Sequence, residues 1–161
     1  MSILRLIPAL ALGAVLSQFP AFSDQYVQRL GGQVDALQAV AADFDASAEK
    51  AGYTREQALS DLSGSDFQTA HQGDMRQTFA RLDKLSGDLT LLRTASPLER
   101  MLLPHRLGDM QTLRATWADF VPAVPVSFAG LAAGGIGFVL GWILAAMLGR
   151  PFRRRDRLGW R

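Results

Sequence analysis

The chain is apolar at both ends and patterned in between. Residues 127–149, SFAGLAAGGIGFVLGWILAAMLG, carry no charge. At 1.5 Å per residue they reach about 34 Å, enough to cross a hydrocarbon core of about 30 Å. This predicts a membrane helix over 126–149. Residues 3–22 form a second apolar run with a single charge, Arg5, and at about 20 residues it is also long enough to span. It has an alternative reading as a secretory signal peptide cut after Ser23. Apolar cores of such leaders run about 7–15 residues, and residues 7–16 have that shorter length.

Spacing favours a retained, uncleaved helix over 1–22. Ala9, Gly13 and Ser17 recur at every fourth position. Ala133, Gly137, Gly141 and Ala145 repeat the same period, with Gly130 and Gly134 beside them. Small residues at this spacing let membrane helices approach closely. Matching stripes therefore predict two helices packed together, or an oligomer. Pro20 is placed to kink the first helix where it leaves the membrane.

Between the apolar ends the period becomes heptad-like. Val27, Leu30, Val34, Leu37, Ala41, Phe44, Ala48 and Ala51 alternate in steps of three and four, an a/d seam. Gly52 marks its stop, and Thr54 with Gln57 forms a capping box for a short helix that Gly64 ends. A second long helix is expected over 66–93, with Phe67, Ala70, Met75, Phe79, Leu82, Leu85, Leu89 and Leu92 as its apolar line. Two such helices joined by a short helical turn make an antiparallel hairpin. Ser96 and Pro97 open a further short helix, interrupted at Pro104. A last helix over 109–120 carries Leu107, Met110, Leu113, Trp117 and Phe120 along one side. Pro122 and Pro125 end it before the second span, with Trp117 and Phe120 where an interfacial aromatic belt would sit. Gly31 and Gly32 interrupt the seam, each costing a helix interior about 1 kcal/mol relative to Ala. They mark a hinge or, in the preferred reading, a close contact with another helix.

Charge orients this arrangement. Residues 24–120 hold 14 acidic and 10 basic side chains, whereas residues 150–161 hold six Arg against one Asp. Arg150, Arg153, Arg154, Arg155 and Arg157 directly follow the second span, and such a cluster marks the cytoplasmic side. The expected fold is an all-α membrane protein. Two transmembrane helices (1–22 and 126–149) flank an extracytoplasmic antiparallel helical hairpin with short extra helices (23–121). A basic tail over 150–161 lies on lipid headgroups. Both termini are then cytoplasmic and residues 23–121 periplasmic, in a bacterial inner membrane. The chain has no Cys, which excludes disulfides and thiol chemistry.

QRLGG at 28–32, TWADF at 116–120 and the Pro-containing approach to the Gly-rich GFVLGW span carry a resemblance over nearly the whole chain. The sequence resembles an uncharacterised family of small two-span bacterial inner-membrane proteins, a domain of unknown function. It departs from the family pattern at Ala21-Phe22, where the family carries an acidic residue after the Pro. The resemblance implies two spans and an outer helical region. It implies no activity, ligand or catalytic residue.

The chain offers few groups that could carry chemistry. His71 and His105 are the only histidines, and neither has the i, i+4 His or Glu-x-x-His partner of a metal site. Asp43 and Asp45 cannot share a helix face. No phosphate loop or nucleophile elbow is present, and neither span carries a charge at mid-membrane. No cofactor, metal, nucleic acid or small-molecule substrate is expected, and the chain does not read as an enzyme. The expected partners are the lipid bilayer and either other membrane-protein subunits or a second copy. The leading expectation is a non-catalytic accessory or assembly subunit of a larger inner-membrane complex. The alternatives are a self-associating envelope scaffold that pairs through the heptad seam, and a small enzyme or transporter whose site the sequence does not reveal.

Overall fold

The computed structural model describes residues 3–148. The basic tail, with Arg150, Arg153, Arg154, Arg155 and Arg157, lies outside them. Six α-helices run in the order α1 (Ile3–Ser17), α2 (Phe19–Lys50), α3 (Arg55–Asp61), α4 (Asp66–Thr94), α5 (Met110–Asp119) and α6 (Phe128–Leu148), with 3₁₀ turns at Glu99–Leu102 and Pro104–Arg106. No strand occurs among the described residues. Two helices are long and apolar enough to cross a membrane: the one that begins near the N-terminus and α6. At 1.5 Å per residue, α6 measures about 31 Å.

The chain divides into two compact units. The first holds the described residues of Met1–Gln25, Ser96–Pro104 and Thr116–Arg161; the second holds Tyr26–Ala95 and His105–Ala115.

In the first unit α1 and α6 pack antiparallel. The helix that opens the chain breaks at Gln18, because Pro20 has no N–H for the Leu16 carbonyl. The Gln18 N–H turns to the Val15 carbonyl at 3.2 Å, and the ladder resumes with Phe22 N–H to Gln18 O at 3.0 Å. Beyond the break, Asp24 pairs with the buried Arg100 at 2.5 Å. That pair ties the Glu99–Leu102 turn to the start of α2. Ser96 and Glu99 cap the turn reciprocally at 2.7 and 3.3 Å. Phe22 meets Trp117 and Phe120 edge-on, with centroids at 6.0 and 5.5 Å.

In the second unit α2 and α4 form the antiparallel hairpin. Phe44 meets Phe79 edge-on at 5.4 Å, and Gly31 near the opposite end faces Arg93. The α2 seam is covered by its own chain: Val27, Leu30, Val34, Ala41 and Ala48 are buried. Ala51, past the end of α2, is exposed. Ala41, Leu59, Met75 and Phe79 form a core cluster flanked by Phe44 and Leu82. The Thr54–Gln57 capping box starts α3, and a second box, Ser65 with Gln68, starts α4. Gly64 stands at φ +115° between them, a conformation that glycine reaches without a Cβ clash.

Two expected apolar faces differ from the structure. Phe67 and Ala70 are exposed, so the inward line of α4 begins at Met75. On α5 the buried positions are Thr112 and Thr116, whereas Met110 and Trp117 are exposed. The helix turns a threonine face inward because its first turn joins a polar cluster.

Candidate functional site

Each unit contains one candidate, and each is described separately. In the first unit it is the contact between α1 and α6. A Cβ built on Gly137 would stand 2.6 Å from the Leu12 carbonyl oxygen and 2.9 Å from the Gly13 α-carbon. One on Gly141 would stand 2.6 Å from Pro8 O and 2.7 Å from the Ala9 α-carbon. Real side chains cannot occupy such space, so the two backbones touch directly at these positions. Gly13 lies against the Gly134 carbonyl, with its hypothetical Cβ at 3.0 Å, and Gly134 faces the Ser17 side chain. Ala9 and Ala133 are fully buried, and Ala145 is half-buried. Ser17 donates to Ala14 O at 2.7 Å, which keeps its hydroxyl off the neighbouring helix. The structure thus brings Ala9, Gly13 and Ser17 together with Ala133, Gly137 and Gly141 in one intramolecular seam. Such seams gain dispersion contacts that lipid tails supply less completely.

In the second unit the candidate is a polar cluster where α2, α4 and α5 meet. Asp109 caps α5: its Oδ2 accepts the Thr112 N–H at 2.9 Å. The Thr112 hydroxyl lies 2.6 Å from the same oxygen and 2.9 Å from Gln33 Oε1, and its single proton serves one acceptor at a time. Arg81 donates to Gln33 Oε1 and Asp109 Oδ1, both at 3.3 Å. The Asp109 N–H donates to the buried Tyr26 hydroxyl at 3.2 Å. Buried Asp88 accepts from Arg106 at 2.9 Å.

Protonation follows from these contacts. Burial pushes the Asp109 carboxyl up, but the Thr112 donors and the Arg81 and Lys84 charges outweigh it and hold the group below its ordinary value. Burial lifts the Tyr26 phenol above its ordinary value; the Asp109 N–H opposes this, and the Asp109 and Asp88 charges add to it. Among the described residues no buried side-chain nitrogen or oxygen lacks a partner. A fully satisfied network of this kind fixes register and rigidity.

Gly31 is buried and Gly32 exposed; α2 runs helical through both. A Cβ on Gly31 would lie 2.9 Å from the Arg93 guanidinium, and one on Gly32 would meet nothing within 4 Å. His71 stacks on Phe67 at 6.1 Å on the exposed face of α4, and His105 is exposed in the second 3₁₀ turn. Asp45 is held by Arg55, whose guanidinium also lies 4.5 Å over the Phe79 ring. No group of three or more metal-ligand side chains occurs among the described residues.

The polar cluster escapes sequence reading because its members are far apart in the chain: Gln33 and Thr112 are separated by 79 positions. Only the cap carries a local signal, Asp109 three residues before Thr112.

Fold and contacts define an all-α membrane protein with two candidate spans and an antiparallel pair of long helices. The chain belongs to the family described as Protein of unknown function (DUF2937), which it matches over residues 1–157. No curated protein and no solved structure matches it.

Proposed function

We propose that the protein is a non-catalytic accessory or assembly subunit of a larger bacterial inner-membrane complex. The observation that carries this reading is the apolar surface at the hairpin turn. Phe67 is 78% exposed and Tyr53 is 45% exposed. Tyr53 borders an open groove of about 280 Å³, lined also by Phe44, Ala48, Ala58, Asp61 and Leu62. Exposed aromatics beside a groove are typical anchors of a protein interface. The small-residue stripes and the heptad seam are both covered within the chain. A scaffold that pairs copies through the seam would therefore have to open its own hairpin.

The orientation in this proposal, with residues 23–121 periplasmic and both ends cytoplasmic, rests on the Arg cluster after α6. A reporter active only in the periplasm should be silent when fused after Arg161 and active when inserted at Gly64. The opposite pattern would reverse the topology.

Purification in mild detergent tests the functional reading. Other membrane proteins should accompany the chain in fixed stoichiometry, and Phe67→Ser combined with Tyr53→Ser should release them while the chain stays folded. Recovery of copies of this chain alone would favour the scaffold instead.

A further inference from the structure

The chain that leaves the first span is a ruler for the segments packed around it. The Ser17 carbonyl lies against Gly130, in the first turn of α6, so the two apolar helices end at one level. At about 31 Å, α6 just covers a hydrocarbon core of about 30 Å, and its first turn stands at the core's edge. From there outward, Gln18 accepts the Ala123 N–H at 3.0 Å. Phe22 meets Trp117 and Phe120, and Asp24 pairs with Arg100. Gln18 to Asp24 covers about 9 Å along a helix axis. The polar layer on each side of the core is about 5–8 Å thick. Residues 96–104 and 117–127 therefore stand at the height of that layer. Positions 22 and 24 point about 200° apart around the helix, so the Glu99–Leu102 turn and the segment that enters α6 flank it on different sides.

The chemistry of these segments fits the headgroup layer and neither of its neighbours. Residues 120–127 form no regular helix or strand. Among the described residues, the Val121, Val124 and Val126 N–H groups find no protein partner. Such backbone needs water within reach, because lipid tails offer no hydrogen bonds. The side chains need the opposite. Leu102, Trp117, Val121, Val124 and Val126 are all more than 70% exposed, a concentration of bare apolar surface that bulk water disfavours. Only the headgroup boundary supplies both, with water at the backbone and acyl chains at the side chains. Tryptophan, an apolar ring with one N–H, is favoured at that level. The Arg100–Asp24 pair stands furthest out, and its carboxylate side is half exposed.

We propose that residues 96–104 and 117–127 form a lipid-binding collar, seated in the phospholipid headgroup layer around the point where the chain leaves the bilayer. Leu102, Trp117 and the three valines reach the acyl boundary. Continuity with the ends of α1 and α6 is what brings phospholipid, rather than another occupant, to this surface. The inference rests on the reading of those helices as membrane spans.

The chain has no Cys, so single nitroxide labels can be placed without background. Leu102→Cys and Val124→Cys report on the two sides of the collar. Phe67→Cys, exposed near the hairpin turn, is the water reference, and Val139→Cys, half exposed near the middle of α6, is the core reference. Each labelled full chain is reconstituted in phosphatidylethanolamine–phosphatidylglycerol vesicles. Electron paramagnetic resonance then gives its collision rates with oxygen, which concentrates in lipid, and with a nickel chelate, which stays in water. The oxygen-to-nickel ratio at positions 102 and 124 should be several-fold above that at 67 and several-fold below that at 139. Burial in protein is told apart because it slows collisions with both reagents. A ratio at either collar position equal to that at 67 would place it in water and overturn the collar. A protein partner as the natural cover would give that result, since the vesicles hold none. A ratio equal to that at 139 would sink the segment into the core and overturn the collar as well. A ratio at 139 that matches 67 would refute the span reading itself.

Discussion

Gly137 and Gly135 are near neighbours in the chain with opposite environments. A methyl group on Gly137 meets the backbone of α1 at 2.6 Å, whereas one on Gly135 meets nothing within 4 Å. Overpacking a tight contact costs about 1–3 kcal/mol, and here the obstacle is backbone, which cannot rotate away. Gly137→Ala should therefore lower the unfolding midpoint in detergent, and Gly135→Ala should not. Equal responses would mean that α1 and α6 are not in backbone contact. Gly32 offers a second comparison. Its surroundings are empty, so Gly32→Ala should stabilise α2 by up to about 1 kcal/mol through helix propensity. If the substitution leaves thermal stability raised but abolishes partner recovery, the glycine serves as a hinge after all. The small-residue stripes were legible because membrane packing imposes a simple period. Whether Gly31 or Gly32 faced a neighbour was not, since the neighbour is the distant Arg93.

At the level of elements, local signals read well and convergent ones did not. The Thr54–Gln57 box, the stop at Gly52 and the Ser96 start each depend on residues within a few positions, and each appears in the structure. The seam of α2 was legible because its partner covers it over most of its length. Periodicity alone carries the apolar line of α4 too far toward its N-terminus: Phe67 and Ala70 keep the period but are exposed. On α5 the apolar positions pointed to the wrong face, because Asp109 and Thr112 draw the helix onto Gln33 and Arg81. That attraction is electrostatic and invisible to hydrophobic periodicity. It also makes a pH prediction. The Asp109 carboxyl is depressed in the folded chain, so its contribution is fully present above the unfolded value of about 3.9 and is lost as pH falls through the lower folded value. Asp109→Asn keeps the cap and removes the charge. Circular dichroism melts across the acid range should show a shallower loss of stability in Asp109→Asn than in the unmodified chain. Identical acid limbs would mean that the Asp109 charge contributes nothing to the cluster.

At the scale of the whole molecule, the first helix holds the spanning pair together. The seam between α1 and α6 buries Ala9, Gly13 and Ser17 against Ala133, Gly137 and Gly141. The hydrogen bond from the Ala123 N–H to the Gln18 side chain needs the same helix. Removal of residues 1–23 would leave the glycines of α6 facing lipid with no partner and would free the Ala123 N–H. Length alone could not decide between leader and span, and the spacing of small residues gave the argument for a span. The most direct measurement is the intact mass of the protein extracted from the membrane in which it is made. The expected mass is that of a chain still containing residues 3–23. A chain beginning at Asp24 would contradict the two-span account, and with it the seam between α1 and α6.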